Sequence, residues 1–149
     1  MGSFDSEKKL IVETAHELVR KGFLMATGGN LSLRVKGQNA FAITPSNYDY
    51  MKMTPEDVCI LDFDLNMLEG HLKPSVESAM HGAVYQARAD VNAIVHTHQV
   101  YTSALTLIKS PIPALFDEQA RFLGRSVEII PYAPSGTGML KNTVAKHVK

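Results

Sequence analysis

The stretch from Pro74 to His98 constrains this chain most, because it sets a carboxylate and two imidazoles beside recognisable secondary structure. Ser75 is predicted to cap a helix, since it follows a proline and its hydroxyl accepts hydrogen bonds from the free amides of a first turn. Glu77 then falls in that first turn, where the helix dipole favours an ionised carboxylate. The sequence therefore predicts a charged group held at a helix start.

The same stretch ends in two histidines that follow a short apolar run. The run after Asp90 predicts a turn and then a buried strand that carries His96 and His98 at its end. Residues i and i+2 of a strand share a face, so both imidazoles are predicted to point at one place, as in a site for zinc or a similar divalent ion. Chance alone yields about 0.2 such pairs in a chain of this composition. An ordinary amphipathic helix with a surface glutamate, followed by two histidines at the edge of the core, also fits.

Length and composition indicate an ordinary globular protein. The 149 residues predict one domain over residues 1–149, and the 15 basic residues balance the 15 acidic ones. This balance favours neither a nucleic-acid partner nor a membrane surface. A lone cysteine, Cys59, excludes an intrachain disulfide and is typical of a reducing cytosol, so a cytoplasmic location is predicted.

Hydrophobic periodicity predicts alternating helices and hairpins. The predicted helices are Asp5 to Gly22, the helix after Ser75, Val100 to Ile108, Phe116 to Leu123, and a last one marked by Leu140, Val144 and Val148. The predicted strands are Leu31 to Val35, Ala40 to Thr44, Val58 to Asp62, Met67 to Glu69, the histidine strand, and Val127 to Ile130. Helices and mostly hairpin-joined strands predict a sheet between helices.

Two clusters of small polar residues flank the first hairpin. One is Thr27-Gly28-Gly29-Asn30 and the other begins at Thr44. Two glycines before a strand leave backbone amides open for an anion, and Thr27 and Asn30 add side-chain donors. A plain Gly-Gly turn explains the first cluster as well.

Together these motifs resemble the class II aldolase and adducin head family. The resemblance covers nearly the whole chain and rests on co-linear motifs: Thr27-Gly-Gly-Asn30-Leu-Ser, Ile43-Thr-Pro-Ser46, Lys73-Pro-Ser75-Val-Glu77, His81 and His96-Thr-His98. It implies a three-layer α/β/α fold with a largely antiparallel central sheet. It also implies a zinc site, a small sugar phosphate as substrate, and a homo-oligomer, often a cyclic tetramer.

Site residues follow from the resemblance, position by position. His96 and His98 would hold Zn²⁺ or another divalent metal, and Glu77 would act as the acid/base that also touches the metal. A phosphate pocket would be formed by Thr27, Gly28, Gly29, Asn30, Ser46 and Ser75. Proton transfer on carbon favours a carboxylate whose pKa is raised by a closed site, and this is expected of Glu77.

The function implied is cleavage of a small ketose phosphate to dihydroxyacetone phosphate and an aldehyde through a zinc-stabilised enediolate. A dehydratase of the same family stays open because dehydratases keep the glutamate, whereas 4-epimerases usually carry aspartate at the position of Glu77. A non-catalytic adducin-like module would be expected to lose His96 and His98. Family enzymes add a third histidine from a later strand, so a shortened member without the C-terminal strand and helix, and with weak or absent zinc, is expected.

Overall fold

One α-helix and four strands come first, and α-helices and strands then alternate. The computed structural model describes residues 4–148. The α-helices are α1 (Asp5–Arg20), α2 (Ser78–Ala87), α3 (Val100–Leu105), α4 (Asp117–Leu123) and α5 (Gly138–His147). The strands are β1 (Asn30–Arg34), β2 (Ala40–Ile43), β3 (Cys59–Asp62), β4 (Met67–Glu69), β5 (Ala93–His96), β6 (Ile112–Pro113) and β7 (Ser126–Val127).

The main sheet has five antiparallel strands in the order β4-β3-β2-β1-β5. Both predicted hairpins are confirmed, since β1 pairs with β2 and β3 pairs with β4. The strand β5 lies at the sheet edge and pairs with β1, with His96 opposite Asn30. This pairing brings the end of the histidine strand to the polar cluster before β1.

Two hydrophobic clusters cover the two faces of the sheet. On one face, Ile11 and Ala15 of α1 pack with Leu31, Ala42 and Ile60. On the other, Tyr85 of α2 packs with alternate residues of the central strands, which are Phe41, Ile43, Cys59 and Leu61. The alternation follows from the period of two in a strand. Helices on both faces give the predicted α/β/α arrangement, with α5 packed on α2.

Several predicted bounds are wrong. The strand predicted from Val127 to Ile130 is Ser126–Val127, and the first helix ends at Arg20 and not at Gly22. The strand β5, predicted as buried, is an edge strand with exposed and half-buried residues.

Two further differences concern the stretch from Pro74 to His98. The helix α2 begins at Ser78 with Glu77 as its N-cap, so Ser75 is not the N-cap. The strand β5 ends at His96, so His98 lies beyond it and does not share its face by strand geometry. The sheet pairing explains the second difference, because β1 begins at Asn30 and offers no partner beyond that residue.

The chain forms two compact units. Of the described residues, the first unit comprises 4–97 and 132–148 and contains the main sheet, and the second is the segment 98–131. Within the second unit, β6 and β7 form a small antiparallel ribbon. Among residues 4–148, no helix is both long and apolar enough to cross a membrane.

Candidate active site

Alternate residues of β1 bind successive turns of α2 and so fix this helix on the sheet. Asn30 Nδ2 donates to Glu77 Oε2 over 2.7 Å, and Ser32 Oγ lies 2.6 Å from His81 Nδ1. Arg34 Nη2 donates to the Tyr85 carbonyl oxygen over 2.7 Å. Because every second side chain of a strand shares a face, one strand reaches the helix start, its middle and its end.

Glu77 lies at the start of α2, and both of its carboxylate oxygens have hydrogen-bonding partners. Its side chain is buried, with the residue 6% exposed. One oxygen, Oε1, accepts from Ser135 Oγ over 2.7 Å. The other, Oε2, accepts from Asn30 and lies 2.6 Å from His96 Nδ1. The carboxylate therefore joins three segments that are distant in sequence.

These neighbours keep Glu77 ionised. The His96 imidazole lowers the pKa of Glu77 most, and donation from Asn30 and Ser135 lowers it further against the opposing effect of burial, to about 2. The expectation of a raised pKa is therefore wrong. Burial does disfavour the charged form, but donors that bind the carboxylate outweigh it.

Ser75 supports Glu77 from the backbone. Its hydroxyl accepts from the Glu77 amide over 3.3 Å, and its carbonyl oxygen accepts from Ser78 Oγ over 2.7 Å. The Ser75 amide donates to the Thr44 carbonyl oxygen, which ties this turn to the end of β2. Ser75 thus fixes the approach to the helix from two residues before the N-cap.

His81 is fully buried one turn after Glu77, and its burial gives it a neutral ring. Desolvation is the main cause that lowers the pKa of His81 to about 4, and His96 adds to it. Ser32 Oγ also lies 2.7 Å from Tyr85 Oη, so Ser32 links the histidine to the tyrosine. His81 and His96 line an open cavity of about 440 Å³ whose remaining wall is mostly apolar.

Gly29 allows the polar loop before β1 to approach β5. Its φ is +82°, and a Cβ at this position would lie 2.5 Å from the His96 carbonyl oxygen and 2.6 Å from Leu24 Cδ2. A side chain would therefore be strained and would also push the strand that carries His96 away. The Gly29 carbonyl oxygen accepts from Tyr50 Oη over 2.6 Å, which anchors the loop.

The structure places only part of the predicted phosphate pocket beside Glu77. Asn30 and Ser75 contact Glu77 directly, and Gly29 adjoins His96. The amide of Gly28 donates to the Met25 carbonyl oxygen, so it is not open as the sequence pattern predicts. The amide of Ser46 donates to the Lys73 carbonyl oxygen. Thr27 lies exposed in the same loop. A phosphate role for these six residues stays a prediction.

The predicted metal ligands divide between the two units. Glu77 and His96 converge within the first unit, whereas His98 belongs to the second. Across residues 4–148, no group of three or more histidine, cysteine, aspartate or glutamate side chains is arranged to hold a metal ion. A carboxylate oxygen and an imidazole nitrogen fit a zinc ion in type, but two donors are fewer than the three of a catalytic site.

Sequence reasoning missed the residues that hold Glu77 and α2 in place. Ser32 and Arg34 carry a readable signal, because polar side chains alternate with leucines along Asn30-Leu-Ser-Leu-Arg34. Ser135 carries no such signal, since it lies in a loop 58 positions after Glu77. Only the tertiary fold brings that loop to the start of α2.

The fold defines the class of protein, because it is similar to a solved structure of L-fuculose 1-phosphate aldolase. The match covers 99% of this chain and 68% of that one, with a TM-score of 0.90 and 33% sequence identity. The architecture is thus that of the class II aldolases, as predicted.

Comparison of the sequence with family models and with curated proteins identifies the family of the chain. Residues 9–149 match the model described as Class II Aldolase and Adducin N-terminal domain. The chain is 37% identical to 5-deoxy-D-ribulose 1-phosphate aldolase of Bacillus thuringiensis serovar kurstaki, over 90% of its own length and 62% of that protein. It is 37% identical to L-fuculose phosphate aldolase of Escherichia coli, over 93% of its own length and 63% of that protein. The chain belongs to the class II aldolase and adducin N-terminal domain family, and it spans less than two thirds of these two relatives.

Proposed function

We propose that the chain carries the active site of a metal-dependent aldolase that cleaves a small ketose phosphate to dihydroxyacetone phosphate and an aldehyde. The observation that supports this most is the buried, ionised Glu77 carboxylate between Asn30, Ser135 and His96. Ionisable groups whose pKa values are strongly shifted by specific partners cluster at functional sites. The family relatives named as sugar-phosphate aldolases support the reaction class.

The proposed reaction moves one proton while one carbon–carbon bond breaks. As the bond between C3 and C4 of the ketose breaks, the C4 hydroxyl releases its proton to solvent and becomes the aldehyde. One proton returns from solvent through Glu77 in the step at C3, so the reaction neither consumes nor releases protons. The bonding electron pair stays on the three-carbon fragment as an enediolate, and a proton is added at its C3. Glu77 is the group proposed to carry the proton at C3, and in the condensation direction its ionised form removes that proton.

A divalent metal ion is part of the proposal, with Glu77, His96 and His98 as the residues that would hold it. When bound, such an ion supplies Lewis-acid stabilisation of the negative oxygens that develop on the three-carbon fragment. The chain's own groups would bind and orient the sugar phosphate: the hydroxyls of Ser46 and Ser75 for the phosphate, and Glu77 for the proton.

The experiment is a substrate panel. Zinc- or cobalt-loaded protein is incubated with a set of ketose 1-phosphates, and dihydroxyacetone phosphate is detected by a coupled reductase, with ³¹P NMR for any other product. We expect dihydroxyacetone phosphate from at least one substrate and about 10²-fold less from Glu77→Gln. A dehydrated product without dihydroxyacetone phosphate would replace the aldolase by the dehydratase.

A homo-oligomer, with a tetramer expected, belongs to the same proposal. The second unit exposes large apolar side chains, among them Tyr101 at 85%, Leu107 at 82% and Phe122 at 77%. Apolar surface of this kind marks a protein interface. Light scattering after gel filtration is expected to give a mass well above the 16.4 kDa of one chain, and a monomer at micromolar concentration would contradict it.

A further inference from the structure

We propose that Ser135 is the positioning residue of the Glu77 carboxylate: its hydroxyl holds Oε1 in the orientation from which Glu77 transfers a proton. Ser135 Oγ donates to Glu77 Oε1 over 2.7 Å. The inference rests on the proposed function for what the positioned oxygen does. It adds a residue from a different part of the chain, the loop before α5, to the site at the start of α2.

The two carboxylate oxygens of Glu77 have different surroundings, and this difference gives Ser135 its role. Oε2 is occupied by the Asn30 amide and by His96 Nδ1 at 2.6 Å. Oε1 faces Ser135, which is an exposed residue at the rim of the site. Oε1 is therefore the oxygen nearer to an entering substrate. A hydroxyl donating to Oε1 adds to the contacts of Asn30 and His96 with Oε2 and so restricts the rotation of the carboxylate about its last bond.

The loop around Ser135 is built to hold that hydroxyl in place. Ala133 is buried on one side of it. Gly136 has a φ of +72° and packs against Val76, the residue before Glu77. Thr137 Oγ1 donates to the Pro134 carbonyl oxygen over 2.7 Å and accepts from the Leu140 amide, so it closes the loop and caps α5. Anchors on both sides of Ser135 reduce the entropy lost when its side chain binds Glu77.

Kinetics distinguish a positioning role from a structural one. Ser135→Ala is expected to lower kcat about tenfold with KM changed less than about threefold, because misorientation affects the transition state more than binding. Ser135→Thr keeps the hydroxyl at an exposed position and is expected to restore kcat to within about threefold of wild type. Thr137→Ala is the matched control, because it loosens the same loop and the α5 cap without removing a donor to Glu77.

A readout independent of activity is the carboxyl resonance of Glu77 in protein labelled with ¹³C at the glutamate side-chain carboxyl. Its assignment comes from its absence in Glu77→Gln. We expect Ser135→Ala to move this resonance and Ser135→Thr to leave it near the wild-type position. Thr137→Ala is expected to move it less than Ser135→Ala does, because it loosens the loop but keeps the hydroxyl that donates to Glu77. An unmoved resonance in Ser135→Ala, or an equal movement in Thr137→Ala, would overturn the role of Ser135.

The two readouts separate this inference from the proposed function. If the wild-type protein cleaves no ketose phosphate but the resonance responds as expected, the proposed function fails and the contact of Ser135 with Glu77 stands. If aldol cleavage is found and Ser135→Ala keeps wild-type kcat, the proposed function stands and the positioning role is wrong.

Discussion

At the scale of single residues, burial and local donors decide which groups carry charge. His81 of α2 lies one turn after Glu77, the N-cap of that helix, and both residues are buried, yet the pKa of each moves downward. For the carboxylate this favours charge, since bound donors stabilise the ionised form. For the imidazole it favours neutrality, since desolvation disfavours the protonated ring. A downward shift in pKa therefore leaves Glu77 charged and His81 neutral.

This neutrality of His81 predicts a pH dependence of stability. The ring binds a proton at about pH 6.5 in the unfolded chain but only near pH 4 in the folded one. Between these values the unfolded state holds more protons, so the free energy of unfolding falls as the pH falls from 6.5 to 4, by about 3 kcal/mol from this group. In urea titrations, the free energy of unfolding of His81→Gln is expected to fall by about 3 kcal/mol less than that of wild type between pH 6.5 and pH 4. The surface variant His147→Gln is the control, and identical pH slopes for His81→Gln and wild type would contradict the prediction.

At the scale of elements, β1 determines where α2 lies. Arg34 stabilises the last turn of α2 and the residues after it. Its Nη2 donates to the carbonyl oxygens of Tyr85 and Arg88, and its Nε donates to that of Val91. Arg34→Lys is expected to cost about 1–3 kcal/mol, because one ammonium group cannot reproduce the planar fork. The midpoint of urea unfolding measures it, with the exposed Arg20→Lys as control. An Arg34→Lys midpoint equal to that of Arg20→Lys would show that the fork adds no stability.

The elements also show how far the sequence predicts the structure. Periodicity predicts the two hairpins and the presence of all five helices, since apolar residues decide which face is buried, but it extends α1 and α3 beyond their ends and misplaces β7. It misplaces the start of α2 and the end of β5, because those limits depend on Thr44 binding Ser75 and on the extent of β1. The motifs place Glu77, Asn30 and His96 in one predicted site, and the structure brings these side chains into contact. The contact with Ser135 is not predicted, because it joins segments through the fold alone.

At the scale of the whole molecule, the described residues supply two converging donors for a metal ion, Glu77 and His96. Two protein ligands hold zinc less firmly than the three of a catalytic site. After dialysis against metal-free buffer, well under one zinc per chain is expected by metal analysis. Cobalt binding can be followed by the visible spectrum of the bound ion, and His96→Ala is expected to weaken it. The variant His98→Ala tests whether His98 also acts as a ligand. One tightly held zinc per chain would contradict the expectation.

The central claim is that Glu77 moves a proton on carbon, and isotope exchange tests it most directly. Metal-loaded protein is incubated with dihydroxyacetone phosphate in D₂O without an aldehyde, and loss of the proton signal at C3 is followed by ¹H NMR. Wild type is expected to exchange one of the two C3 hydrogens, and Glu77→Gln to exchange it about 10²-fold more slowly while keeping its fold by circular dichroism. Exchange by Glu77→Gln at the wild-type rate would contradict the claim.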